Sequence, residues 1–246
     1  MSSTSATYKT GLTHSQKFQR RFSVGIRLVV AVLLIIFAIF PVLWIISASF
    51  DNSNSLATQS LIPANAGIAN YQRLFNKDPN FSYGDIQYWR WLWNSIKISG
   101  ISTILSISIT TMAAFAFSRL RFKGRIGLLK AIMLILAFPN LLALVAIFAL
   151  IANLGDIFSP LGLNTHAGLI LVYLGGSMGM NTWLMKGYLD TIPRAIDESG
   201  MLDGATHWQI FTQLLLPLLR PILVVTGLLS FIGTYGDFLL ARVLLN

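Results

Sequence analysis

Long apolar runs recur along this chain, separated by short polar stretches. Five of them, 28–49, 94–118, 127–152, 167–186 and 217–236, reach the about 20 residues a helix needs to cross the hydrocarbon of a bilayer. The pattern predicts an all-α polytopic membrane protein with five spans. The first run is too long, and lacks the small-residue cleavage site, of a removable signal peptide. It reads as an uncleaved anchor, mildly kinked at Pro41. Pro139-Asn140 and Gly175-Gly176-Ser177-Met178-Gly179 are expected to interrupt the third and fourth runs, as broken helices do in transporters and as close helix packing also requires.

Composition agrees. Of 246 residues, 54% are hydrophobic and 11% charged, against about 25% charged in an ordinary soluble domain. So little charge cannot cover a water-facing surface. Cysteine is absent, which excludes disulfides and thiolate metal sites. The formal net charge of +9 invites a nucleic-acid reading, but its distribution argues against one. Lys9, Lys17, Arg20, Arg21 and Arg27 precede the first run, and Arg119, Arg121, Lys123, Arg125 and Lys130 cluster between the second and third. Basic clusters beside spans mark the cytoplasmic side. The tail 1–27 is therefore expected in the cytoplasm, the loop 153–166, without Lys or Arg, outside, and the segment 187–216 inside. Five crossings put the C-terminus outside at Arg242-Val243-Leu244-Leu245-Asn246. We expect a C-terminal truncation, with a sixth span and a cytoplasmic tail beyond residue 246.

Phe75, Phe81, Tyr83, Tyr88, Trp89, Trp91 and Trp93 crowd the outer segment before the second run. Aromatic rings favour the headgroup level, so this is an interfacial anchor or a docking surface for an external partner. Ser95, Ser99, Ser102, Ser106 and Thr110 recur at helical spacing. Small hydroxyl residues pack helices closely in lipid or line a polar path, and packing is the better account. Lys97 and Asp237 lie near span ends, where long side chains reach an interface.

The sequence Gly-Gly-Ser-Met-Gly at 175–179 formally matches G-x-S-x-G, but that motif needs a strand–turn–helix setting, and none of His14, His166 and His207 lies inside a span. No G-x-x-x-x-G-K-[ST] phosphate loop or H-E-x-x-H pattern occurs, so no nucleotide, metal or other cofactor is expected on this chain.

Between residues 187 and 217 the chain carries a different kind of signal. Pro193 suits the start of a helix, with Thr191 nearby as a cap and Asp197 and Glu198 close behind, where negative charge is favoured. Asp203-Gly204 reads as a glycine stop. Thr206 and Gln209 form a capping-box pattern for a second helix with Ile210, Phe211 and Leu214 on one face. Pro217 marks the change of direction into the fifth run. Such a helix pair either lies on lipid headgroups or docks a partner, with Ser199, Gly200 and Ala205 small enough to admit one.

The run Glu198-Ser199-Gly200-Met201-Leu202-Asp203-Gly204-Ala205 followed by Leu216-Pro217 resembles the EAA loop of importer-type ABC permeases, roughly E-A-A-x-x-D-G-A, about ten residues, then L-P. Ser199 and Gly200 replace the usual alanines. Ser60-Leu61-Ile62-Pro63, Trp91-Leu92-Trp93-Asn94-Ser95-Ile96-Lys97, Gly162-Leu163-Asn164-Thr165-His166 and Leu202-Asp203-Gly204-Ala205-Thr206 are similar to the smaller, MalG-type permeases of maltose/maltodextrin importers. The resemblance, over about 28–240, implies a type I ABC importer permease (MetI-like) helical bundle, with five spans present of an expected six, in a bacterial inner membrane. It implies a non-catalytic subunit forming half of a sugar pathway. Its partners would be a larger MalF-type permease, a cytoplasmic ABC ATPase dimer and a periplasmic sugar-binding protein. By the same resemblance Glu198, Ser199, Gly200, Asp203, Gly204, Ala205, Leu216 and Pro217 would couple the chain to the ATPase. The alternatives are a secondary transporter driven by an ion gradient and an intramembrane serine hydrolase using Ser177.

Overall fold

The computed structural model describes residues 14–52, 61–63, 65–75 and 88–245. Lys9 of the basic tail, Ser60, Phe81, Tyr83 and Asn246 lie outside them. The chain divides into two compact units, Met1–Tyr88 and Trp89–Asn246. Among the described residues the structure is helical, with one isolated antiparallel bridge between Asp51 and Ala66.

In the first unit α1 (His14–Ser49) stays helical through Pro41. Its stretch Phe22–Ser49 has mean hydropathy 3.2 and none of its most apolar window is buried. An apolar helix exposed all round is one that lipid solvates. Twenty-eight residues cover about 42 Å at 1.5 Å per residue, more than a bilayer core. Beyond it, α2 (Ala69–Phe75) is fastened to the end of α1. The Asn70 amide donates to the Ser49 and Asp51 carbonyls at 3.2 and 2.8 Å, and the Tyr71 hydroxyl donates to Ser49 Oγ at 2.8 Å.

The second unit opens with α3 (Tyr88–Arg119). Its inward face holds Ser99, Ser102, Ser106 and Thr110, all under 3% exposed. Ser95 is exposed, so the predicted hydroxyl face begins one turn later than expected. The third apolar run forms two helices, α4 (Arg125–Leu136) and α5 (Asn140–Ile157). Pro139 supplies no N–H and holds the residue before it out of the helical region, which accounts for the break. A 3-10 turn (Ser159–Leu161) then leads to α6 (His166–Thr191). The interruption expected at Gly175–Gly179 is absent, because α6 is continuous there. Gly179 instead allows close approach: a Cβ on it would sit 3.0 Å from Leu136 Cδ2. Gly155 and Gly162 likewise touch backbone to backbone.

Directions follow from the contacts. Ser106 meets Ser177, Thr111 meets Met185 and Ser118 meets Asp190, so α3 and α6 run parallel. The Asn181 amide donates to Ser106 Oγ at 3.2 Å and, on α10 (Arg220–Tyr235), to Ser230 Oγ at 2.8 Å. Ile222 and Leu223, at the start of α10, pack against the buried cluster that contains Met185 and Leu189, so α10 is antiparallel to α6. Ser106, Ser177, Asn181 and Ser230 satisfy one another between helices, where lipid offers no partner, while Thr110 bonds its own helix and the buried Ser102 hydroxyl has no partner among the described residues. The Ser177 hydroxyl donates to the Tyr173 carbonyl at 2.9 Å, an engagement ordinary for a membrane helix serine.

Phe22–Ser49 and Tyr88–Arg119 are each long and apolar enough to cross a membrane, and the bent pair His207–Leu218 and Arg220–Tyr235 makes a third if it counts as one span. α6 has the length, with 26 residues, but Asn181, Thr182, Lys186 and Asp190 dilute its apolar character.

Candidate coupling site

The segment after α6 is built from local rules. α7 (Ala195–Leu202) carries Asp197 and Glu198 in its first turn, where the N-terminal partial charge favours them. Its N-cap is Arg194, with no side-chain cap. Thr191, the expected cap, donates instead to the Tyr188 carbonyl at the end of α6. At the other end Gly204 adopts φ +80°. The Gly204 N–H donates to the Met201 carbonyl at 3.0 Å and the Ala205 N–H to the Gly200 carbonyl at 2.9 Å. This is the paired closure that a left-handed glycine makes at a helix C-terminus. Thr206 and Gln209 form the expected capping box on α8 (His207–Gln209).

Beyond α8 the chain departs from the reading of one regular second helix. Ile210–Leu215 is π-helical, followed by α9 (Leu216–Leu218) and a 75° bend into α10. Pro217 has no N–H for the Gln213 carbonyl, so a regular α-turn cannot close there. The wider turn shifts the buried side: Ile210, Phe211 and Leu215 are at most 5% exposed, whereas Leu214 is 36% exposed. Phe211 lies 5.0 Å from the Phe115 ring of α3, centroid to centroid. The change of direction predicted at Pro217 is present, two residues later.

The predicted loop residues divide into two faces. Gly200 is buried, and a Cβ there would meet Leu214 Cδ1 at 2.9 Å and Ile210 Cγ1 at 3.2 Å. Its smallness therefore admits the chain's own second helix, not a partner. Ala205 is half-buried, Leu216 is half-buried and Pro217 is exposed. Glu198, Ser199, Asp203 and Gly204 face outward, and nothing lies within 4 Å of a Cβ built on Gly204. With them stand Leu202, 90% exposed, and Trp208, 62% exposed, which the sequence reading did not single out. Leu202 lies four residues after Glu198, one turn along the same face, and that spacing could have found it.

The inner side of the loop holds charge. Arg119 Nε lies 2.7 Å from Asp197 Oδ2, with both side chains under 10% exposed. The contact is close but angled away from a hydrogen bond, and Asp197 Oδ1 has no hydrogen-bond partner. Arg119 Nη2 donates to the Ile192 carbonyl at 2.9 Å. A cavity of about 100 Å³ lies beside the pair, with Phe115, Arg194, Glu198 and His207 in its wall. Burial, aided by the Glu198 charge, outweighs Arg119 and Arg194 and raises the Asp197 carboxyl above its ordinary range. The basic cluster that marks topology thus also supplies Arg119 to the loop.

Asp190, at the end of α6, behaves oppositely. Burial alone would raise its carboxyl, but hydrogen bonds from Lys186 at 2.5 Å and from Ser118 at 2.6 Å hold it below its ordinary range. A folded-state pKa below the unfolded value adds stability at neutral pH that is lost as pH falls below about 4. The purified protein is expected to lose melting temperature over that acid window, and Asp190→Asn to flatten the loss. Parallel melting curves for the two proteins check this.

With this geometry in hand, the comparisons with known proteins decide the family. A family model described as "binding-protein-dependent transport system inner membrane component" matches residues 106–246. The chain belongs to that family. MalG, the maltose/maltodextrin transport system permease protein of Vibrio vulnificus (strain YJ016), is 46% identical over 213 residues, 85% of this chain and 71% of that protein. MalG of Escherichia coli (strain K12) is 41% identical over 84% of this chain and 71% of its own. GanQ of Bacillus subtilis (strain 168), a galactooligosaccharides transport system permease protein, is 41% identical over 90% of this chain and 76% of its own. In solved structures, a bacterial ABC transporter involved in import of the acidic polysaccharide alginate matches with TM-score 0.68 at 24% identity, over 97% of this chain and 78% of that one, which bears on the fold. The permease is thus an inner-membrane transport component rather than a catalyst, and the serine-hydrolase alternative falls. Membership also implies a second permease, an ATPase and a binding protein as its partners.

Proposed function

We propose that this permease forms half of the sugar pathway of an ATP-driven importer and that α7 is its docking element for the ATPase. One observation carries the reading. α7 is held from behind by Gly200 against Ile210 and Leu214, and closed at its tip by the left-handed Gly204, while Glu198, Leu202 and Asp203 face outward. Leu202, Met201 and Trp208 are all exposed on this short segment, beside Glu198 and Asp203, the apolar-and-polar mix of a partner interface. Glu198 and Asp203 would make charged contacts there, Ser199 and Gly204 would let the partner come close, and Leu216-Pro217 would pass movement into α10. Gly200 and Ala205 support the loop from inside.

The cargo we infer is maltose or maltodextrin, favoured by the MalG relatives, and the second permease is of the larger MalF type. The parallel and antiparallel order of α3, α6 and α10 fits alternating crossings. With the basic tail 1–27 it supports five spans within 28–246 and a cytoplasmic N-terminus. Purification in mild detergent tests the docking: an ATPase subunit should co-elute with the permease and be lost with Leu202→Asp. Equal co-elution from both proteins would overturn the assignment of α7. A secondary transporter would carry sugar without any such subunit.

A further inference from the structure

Two attachments hold α7 to the rest of the unit, and they lead to different helices. The first is apolar and continuous with the chain: Gly200 seats on Ile210 and Leu214, and that segment runs on through the 75° bend into α10. The second is ionic and leads to α3. Arg119, in the last turn of α3, reaches the segment after α6 twice, through Nη2 to the Ile192 carbonyl at 2.9 Å and through Nε to Asp197 Oδ2 at 2.7 Å. The neighbouring Ser118 adds two contacts, its hydroxyl donating to Asp190 Oδ1 at 2.6 Å and its carbonyl accepting from Arg194 Nη2 at 3.4 Å. The stretch 190–197 is thereby pinned to one turn of α3 by four polar contacts.

The pair has a poor claim as a source of stability. Both charges are desolvated, one carboxylate oxygen is unsatisfied, and the contact is misaligned. A buried ion pair of this quality is commonly no better than apolar residues of the same volume. What it does supply is a connection: one guanidinium links the end of α3 both to the Ile192 carbonyl just before α7 and to Asp197 in its first turn, which an apolar contact would not do with the same directionality.

We propose that Arg119, through Asp197, is a positioning residue for transport, a strut that carries displacement of α7 to α3 alongside the path into α10. The inference rests on the reading of α7 as the ATPase docking element. Movement imposed at the tip of α7 then turns α3 and α10 together, about the Asn181 junction that both share with α6. Without the strut, α7 still docks, but α3 is no longer driven.

The test uses the whole importer in proteoliposomes with its binding protein, maltose and ATP. Arg119→Gln and Asp197→Asn should each leave the ATPase co-purifying in the wild-type ratio and ATP hydrolysis running. Maltose carried per ATP should fall about tenfold, within the range that mutations along a coupling route produce. The exchange of charges, Arg119→Asp with Asp197→Arg, should recover part of that loss, which a general packing defect would not. Three results overturn the proposal: an unchanged ratio of maltose to ATP in the single variants, loss of the ATPase from them, or an exchange no better than the singles. Failure of the ATPase to co-purify with the wild-type permease would instead sink the docking reading on which the strut depends.

Discussion

The Gly204→Asp permease is expected to reach the membrane, keep its fold and lose nearly all sugar uptake. The reason lies in what surrounds Gly204. Its φ of +80° is a conformation in which an L residue costs about 1 kcal/mol or somewhat more, with aspartate among the less penalised. Nothing within 4 Å obstructs a side chain, so the isolated protein tolerates the change. The open space is where the ATPase would sit in the proposed complex. A carboxylate placed there, beside Asp203 and without a partner, would have to be desolvated on docking, at a cost of several kcal/mol. Stability and function should therefore separate: a fall of only a few degrees in melting temperature, with uptake and ATPase co-elution both lost. Wild-type uptake in this variant would count decisively against α7 as the docking element.

Pro217→Ala is expected to act in the reverse sense on stability. Proline inside a helix costs about 3 kcal/mol through its missing donor and its ring, and the π-helical turn at Ile210–Leu215 leads up to Pro217 before the bend. Alanine would return an N–H to the Gln213 carbonyl and let residues 210–218 wind as a regular helix. The protein should melt at a higher temperature. The buried set Ile210, Phe211 and Leu215 depends on the wide turn, however, and regular winding would rotate Leu215 out of the buried cluster it shares with Leu219 and Met185. The path from α7 to α10 would lose its geometry, and uptake should drop severalfold. This is the trade expected where a functional segment keeps strain that stability alone would remove. Melting curves and maltose uptake on the same preparations decide it, and unchanged uptake would remove the π turn from the transport pathway.

Much of this protein could be read from its residues in order. Runs of about 20 apolar residues foretold the helices. Glycine after Asp203, the Thr206–Gln209 box and Pro217 located the turn, the cap and the bend, because each acts through atoms within a few residues of itself. What failed was what depends on neighbours distant in sequence. Gly175–Gly179 stayed helical, and the glycine at 179 proved to admit Leu136 and Ile132 of α4. Ser95 turned outward, before the stretch of α3 that meets α6 through Ser106. Gly200 proved to receive Leu214 and not a partner. Arg119 and Asp197 stand 78 residues apart, and no local pattern joins them. Local backbone chemistry determines where this chain turns and stops, since its forces act through covalent neighbours. Only the packed helices decide which charges meet and which side of the coupling loop is left open, since those depend on distances the linear order does not contain.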